Sequence, residues 1–255
     1  LAGVDKGEAE ALIKEWLTRH LQVTLEPLFN LKKDEVPEGA PRDITNKLYD
    51  AMGILPRVDL EDLIAQMDEE TRSTLRTKKI RFGPLLVFLP ELNKPAAVRL
   101  RGLLLSIWQD KKLPAEIPAD GIVSFSVEGK EIDKNYYRSI GYPVYGPRSI
   151  RVDMLDRVIC AVYDSADKGV FEAQHKMAEW LGSNIADLYA VLEAMGHTKI
   201  KDPADEKTAE AEVIKIEEPA PVAEGETPEK KVDVKPELAT FKLKRGKAIN
   251  TGNTG

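Results

Sequence analysis

The stretch Lys79-Ile-Arg-Phe-Gly-Pro-Leu-Leu-Val-Phe-Leu-Pro-Glu-Leu-Asn-Lys-Pro-Ala-Ala-Val-Arg-Leu-Arg101 decides the fold class. Gly83 and Pro84 break whatever precedes them, and Leu85 to Leu89 is an apolar run closed by Pro90. That pattern suits a short buried strand within Ile80 to Leu89. Asn93 and Pro95 then read as the cap and first turn of a helix reaching about Gln109. Leu100, Leu103, Leu104, Ile107 and Trp108 form its expected buried face. A strand inserted among helical spacings makes the chain mainly α with a small β element.

Upstream, Ala11, Leu12, Trp16, Leu17, Leu21, Leu25 and Leu28 recur at helical spacing and predict a helix from about Lys6 to Phe29. Residues 32–41 read as a charged linker. Ile44, Leu48 and Met52 predict a second helix over Asp43 to Met52, stopped by Gly53. Pro56 and Asp59 introduce a third, with Leu60, Leu63, Ile64 and Met67. A fourth opens at Asp68, where acidic residues meet the positive end of the helix dipole, and ends near Lys78. Short helices joined by tight turns suit a helical bundle or winged-helix-like modules.

Downstream, Gly121 to Val127 and Tyr142 to Ile150 are candidate strands flanking a short helix over Lys134 to Ser139. Helices are expected over Arg151 to Tyr163, Phe171 to Leu181 and Asn184 to Met195. The expected organisation is an N-terminal helical module (1–80), a mixed module with small strands (81–200), a linker (201–238) and a basic tail (239–255). The linker holds twelve acidic and six basic residues, five prolines and no aromatic residue. It has too little apolar surface to offset its ordering entropy, so a disordered acidic segment is expected.

Charge points to a partner. The chain carries a formal charge of -6, yet Arg72 to Lys112 holds ten basic residues against Glu91 and Asp110. A basic block on an acidic protein suits a polyanion, above all nucleic acid. The candidate contacts are Arg81, Lys94, Arg99 and Arg101, beside a helix N-terminus whose backbone donors suit phosphate. Arg99 and Arg101 diverge by roughly 200° around a helix, so one faces a partner while the other packs internally. A second group, Arg138, Arg148 and Arg151, is interleaved with Tyr136, Tyr137, Tyr142 and Tyr145. Those tyrosines either stack on unpaired bases or pack the small sheet.

No catalytic motif stands beside these residues. The sequence holds no GxxxxGK[ST], HExxH, CxxC or GxSxG string. His20, His175 and His197 are scattered. The acidic groups near Asp59 and Asp68 read as helix-start charges, and Asp153 and Asp156 as local partners of Arg151 and Arg157. Cys160 lies among apolar residues and reads as a buried thiol. No apolar run is long enough to span a membrane, and a cytoplasmic location is expected.

Several phrases in order carry a resemblance. They are Trp16-Leu-Thr-Arg-His-Leu21 with Pro27-Leu-Phe29, Leu48 to Arg57, Arg81-Phe-Gly83, Leu89 to Leu100, Tyr137 to Gly146, Arg148 to Arg157, Val191 to Gly196 and Phe241 to Gly246. Together they resemble the region that follows the two motor domains in Suv3-like superfamily 2 ATP-dependent helicases, relatives of the mitochondrial degradosome RNA helicase, especially the alphaproteobacterial type. The resemblance covers roughly residues 8 to 200. It implies a helicase as the complete protein, and here an accessory region that encloses single-stranded RNA or DNA against the motor. ATP and Mg2+ would belong to the motor domains, whose motifs are missing from these residues, so no cofactor is expected in this chain. The sequence begins without Met and is read as a fragment or a free-standing relative. The competing reading is a non-catalytic protein-interaction module that docks on the motor or another acidic partner.

Overall fold

A computed structural model of the chain describes residues 5–33, 36–203 and 236–244. Ten α-helices and three small sheets lie among them, so the chain is mainly α. The chain forms two compact units, residues 1–161 and 162–255.

The first unit opens with α1 (Lys6–Thr24), where the Asp5 carboxylate accepts the Gly7 N–H at 3.1 Å. The single long helix expected from Lys6 to Phe29 is broken at Leu25, and α2 (Glu26–Phe29) follows with Pro27 in its first turn. A proline has no N–H to donate and its ring displaces the preceding turn, so the helix restarts there. Next comes α3 (Ala40–Asp50), begun at Pro41 and closed where Met52 and Gly53 take positive φ. A Cβ on Gly53 would sit 2.5 Å from Leu92 Cδ1, so both the turn and the packing need glycine.

The chain continues through β1 (Ile54–Pro56), a 3-10 turn over Arg57–Leu60, α4 (Glu61–Ala65), α5 (Glu69–Thr77), β2 (Arg81–Phe82) and β3 (Leu86–Phe88). The Asp68 carboxylate caps α5 by accepting the Thr71 N–H at 2.8 Å. The apolar run expected to be a buried strand is β3, and Arg81–Phe82 ahead of the Gly83-Pro84 break adds β2, so the two form a hairpin turning at Gly83 to Leu85. β3 lies between β1 and β2, antiparallel to both, with Val87 opposite Leu55 and Phe82. β1 and β3 pair across residue 80 and share one core, and the units part after Ala161 rather than at 80. That core contains Leu25, Leu28, Ile44, Leu48, Leu60, Leu75, Val87 and Leu92. Each large side chain withdrawn from water contributes about 1.5–3 kcal/mol.

Residues beyond β3 form α6 (Pro95–Trp108), β4 (Ser124–Ser126), α7 (Lys134–Ser139), β5 (Val144–Tyr145), β6 (Arg148–Ile150) and α8 (Val152–Ser165). Here too the last strand lies in the middle, in the order β4-β6-β5. α6 corrects the reading of its apolar face. Its buried side is Ala97, Val98, Leu100, Arg101, Gly102 and Ser106, while Leu103, Ile107 and Trp108 are exposed, Trp108 by 87%. Small residues let the backbone approach its neighbours: a Cβ on Gly102 would lie 2.9 Å from Ile117 Cγ1 and 3.0 Å from the Tyr136 hydroxyl.

The second unit contains β7 (Val170–Glu172), α9 (His175–Leu181), α10 (Ile185–Ala194), β8 (Thr198–Lys201) and β9 (Thr240–Lys242). Phe171, expected to start a helix, sits in β7 opposite Phe241. Asn184 caps α10 by accepting the Asp187 N–H at 2.7 Å. The sheet order is β7-β9-β8. The start of the expected basic tail is therefore the central strand of a sheet, with Phe241 fully buried. Residues 204–235 of the expected linker, and 245–255 of the tail, lie outside the described residues. Among the described residues no helix is long and apolar enough to cross a membrane, and no His, Cys, Asp or Glu group is arranged to hold a metal ion.

Candidate nucleic-acid interface

The basic block is spread over three elements once the chain folds, and half of its ten cations meet a carboxylate. Arg76 pairs with Glu69 at 3.0 Å, Arg81 with Asp156 at 2.9 Å and Lys111 with Asp133 at 2.7 Å. Lys79 pairs with Glu91, and Arg99 with Asp120. Lys78 donates to the Asn30 carbonyl at 2.8 Å and Arg72 to the Ile64 carbonyl at 3.3 Å. Of these acids only Glu91 lies within the stretch over which the positive charge accumulates; Glu69, Asp120, Asp133 and Asp156 come from outside it. Local charge in the sequence is thus partly compensated in space.

Arg101 is corrected from a candidate contact to an internal tie. It is 1% exposed. Its Nε donates to the Ala97 carbonyl at 3.3 Å. Nη1 reaches the Met52 and Ser139 carbonyls, both at 3.1 Å, and Nη2 reaches Leu92 at 2.6 Å and Ile140 at 3.0 Å. Met52 follows the end of α3, and Ser139 and Ile140 close α7, so one guanidinium gathers carbonyls from the negative ends of two helices. Burial pushes its pKa down to about 9, which leaves it charged at neutral pH. Of the two arginines, Arg99 is the exposed one and Arg101 the packed one.

Arg81 lies on the edge strand β2. Its Nε bonds Asp156, and its Nη2 lies 3.2 Å from Cys160 Sγ. Burial works against the charged guanidinium, but the Asp156 carboxylate and Cys160 together outweigh it and raise its pKa. Asp156 is only 7% exposed, and burial pushes its carboxyl up against the pull of Arg81. Rather than pairing locally on α8, as its spacing suggests, Asp156 reaches back to β2. No sequence signal marks that pairing.

Lys94 occupies the N-cap position of α6, in place of the expected Asn93. No side chain caps this helix, and Lys94 is exposed without an ion-pair partner among the described residues. Glu91 lies between Lys79 and Lys94, and both cations lower its pKa, the hydrogen bond from Lys79 being the larger cause. Lys79, absent from the candidates that the sequence suggests, therefore joins Lys94 near one carboxylate at the start of α6.

Three of the four tyrosines in the second group are turned inward. Tyr136, Tyr137 and Tyr142 are buried, packed around Phe125 or each other. The Tyr136 hydroxyl donates to the Glu116 carbonyl at 3.0 Å and that of Tyr142 to Ile122 at 2.8 Å. These tyrosines are packing residues. Arg148 bonds Ser124 Oγ at 3.0 Å through Nε, and Arg151 forks onto Asp153 at 2.6 and 3.0 Å. Tyr145 is half-buried opposite Arg148 in the β5–β6 pair.

Comparison of the chain with protein-family models, with curated proteins and with solved structures returns no match.

Proposed function

We propose that this chain is a nucleic-acid-binding accessory region of the kind that follows the motor of Suv3-like helicases, built from winged-helix-like modules and acting in the cytoplasm on single-stranded RNA or DNA. The observation that carries this reading is the element order from α3 to β3. It runs helix, strand, helix, helix, strand, strand, with the last strand between the other two. In a winged helix that order presents the third helix to nucleic acid and the final hairpin as the wing. Here the third helix is α5, which carries Arg72 and Arg76 and leads into Lys78, Lys79 and Arg81. The exposed cations of the block therefore fall where such a module meets phosphates. Exposed ion pairs contribute only about 0–1 kcal/mol each, so Arg76 and Lys79 can exchange Glu69 and Glu91 for a phosphate at little cost.

The test is fluorescence anisotropy with labelled single-stranded RNA and DNA across a salt series. Removing one phosphate-binding cation should make the slope of log affinity against log salt shallower by about 0.7. The combined variant Arg76→Glu, Lys79→Glu, Lys94→Glu is expected to bind at least tenfold more weakly at low salt while keeping its thermal midpoint. Unchanged binding by this variant, or no binding by the parent chain at low salt, removes the proposal.

A second reading has its own support. α1 buries no residue and exposes Leu12, Ile13, Trp16 and Leu17, and α1 touches α6, which exposes Leu103, Ile107 and Trp108. Apolar surface on this scale marks an interaction site, and the partner it fits under the same family reading is the helicase motor. Pull-down with the motor domains after nuclease treatment separates the two: capture that survives nuclease and is lost in Trp16→Ser supports docking.

A further inference from the structure

The geometry points to a strand-addition groove in the second unit, for which Pro236–Lys244 is a detachable ligand that a second copy of this chain can also supply.

Three observations on one segment carry this. First, Pro236–Lys244 is held as peptides are held in β-augmentation, with main-chain bonds on both flanks and a pocket for a side chain. β9 pairs with β7 on one side and β8 on the other. The Ala173 N–H donates to the Ala239 carbonyl and the Leu243 N–H to the Gly169 carbonyl, both at 2.9 Å. Phe241 stacks on Phe171 with ring centres 5.6 Å apart and also packs on Tyr189.

Second, side chains grip the segment at both ends. His175 Nε2 lies 2.8 Å from the Pro236 carbonyl, and the Tyr189 hydroxyl accepts the Ala239 N–H at 2.8 Å. His197 Nδ1 accepts the Lys244 N–H at 3.2 Å. Side chains from α9, from α10 and from the turn before β8 thus read main-chain groups of one segment, in addition to the sheet.

Third, the other two sheets join their last pair of strands directly, at Gly83–Leu85 and Gly146–Pro147, whereas β8 and β9 are separated by everything from Asp202 to Ala239. A chain of that length spans up to about 3.3 Å per residue. Sequence continuity therefore does not fix which copy fills the groove. Within one molecule the tether supplies a high effective concentration of the strand, so the intramolecular form dominates in dilute solution.

The experiment uses the full chain with a specific protease site inserted after Gly225. After cleavage in native buffer, the C-terminal piece should co-elute with the body. Excess fluorescent Pro236–Lys244 peptide should then displace it, and the same peptide with Phe241→Ala should compete at least tenfold more weakly. Two differently tagged intact copies, mixed at high concentration, should also yield mixed dimers on sedimentation. The proposal is overturned if the piece stays bound and cannot be exchanged while α10 keeps its hydrogen-exchange protection. It is equally overturned if cleavage unfolds the unit, or if the piece leaves and the peptide does not bind.

Discussion

The segment from α3 to β3 and the segment from β7 to β9 share an arrangement but not a means of closing it. Both place a pair of helices between a first and a second strand, and both put the last strand in the middle of the sheet. The earlier segment closes with a hairpin over a core of aliphatic side chains such as Ile44, Leu48, Leu60 and Leu75. The later one closes with a strand drawn from far along the chain and held by aromatic rings and histidines. The helices that precede their second strands differ as well: α5 carries Arg72 and Arg76, whereas α10 carries Asp187 and Glu193 and no cation. Shared topology thus does not fix the route to stability; the side chains that meet the closing strand do.

The largest expected effect breaks the earlier segment at its exit. Arg101→Ala removes a buried guanidinium and leaves five main-chain carbonyls short of a donor. With each buried unsatisfied group costing about 1–3 kcal/mol, the loss should exceed roughly 5 kcal/mol. Denaturant melts should show the first unit unfolded or nearly so, and Arg101→Lys should rescue little, because one ammonium cannot reach as many carbonyls as the fork.

Phe241→Ala is the matching break in the later segment, and it should cost roughly 3–5 kcal/mol. Hydrogen exchange should rise in α9 and α10 and stay unchanged in α3. Equal loosening of both would mean that the two regions do not melt independently.

Acid sharpens the contrast further. His197 is buried, edge-on to Phe171 and near Tyr163, and burial, aided by the charge of Lys244, pushes its pKa down to about 4. The folded form therefore keeps the imidazole neutral while the unfolded chain takes up a proton near pH 6.5. Stability from this site is fully present above about pH 6.5 and drains away as the pH falls toward about 4. Protonation would also remove the acceptor that holds the Lys244 N–H. Melts of the wild type should lose stability over that window, and His197→Gln should flatten the loss; a parallel decline in both would assign it to other groups.

Much of this was legible in the sequence where local chemistry decides. Asp68 and Asn184 mark helix starts, Gly53 a helix stop, and Gly83-Pro84 a break before a buried strand, because caps and breaks depend on residues a few positions apart. The candidate strands around residues 121–127 and 142–150 appear as β4, β5 and β6 for the same reason. What sequence did not reveal depends on distant partners. Asp156 reaching Arg81, Asp120 reaching Arg99 and Phe241 meeting Phe171 leave no periodic trace. The positive block looks like a surface patch in the sequence because its compensating acids lie elsewhere in the chain.

The smallest expected effect concerns Trp108, which spacing assigns to the core of α6 and the structure leaves 87% exposed. Helical periodicity reports that a face is apolar, not that something covers it. α6 turns Ala97, Val98 and Arg101 inward, so the stripe of Leu103, Ile107 and Trp108 contributes little to folding. Trp108→Ser should therefore shift stability by no more than about 0.5 kcal/mol, as surface substitutions do. In the same variant, capture by a helicase motor should fall if the apolar face is a docking surface. A loss of about 2 kcal/mol or more in a denaturant melt would show instead that Trp108 is buried in solution, and would return the outer face of α6 to the core.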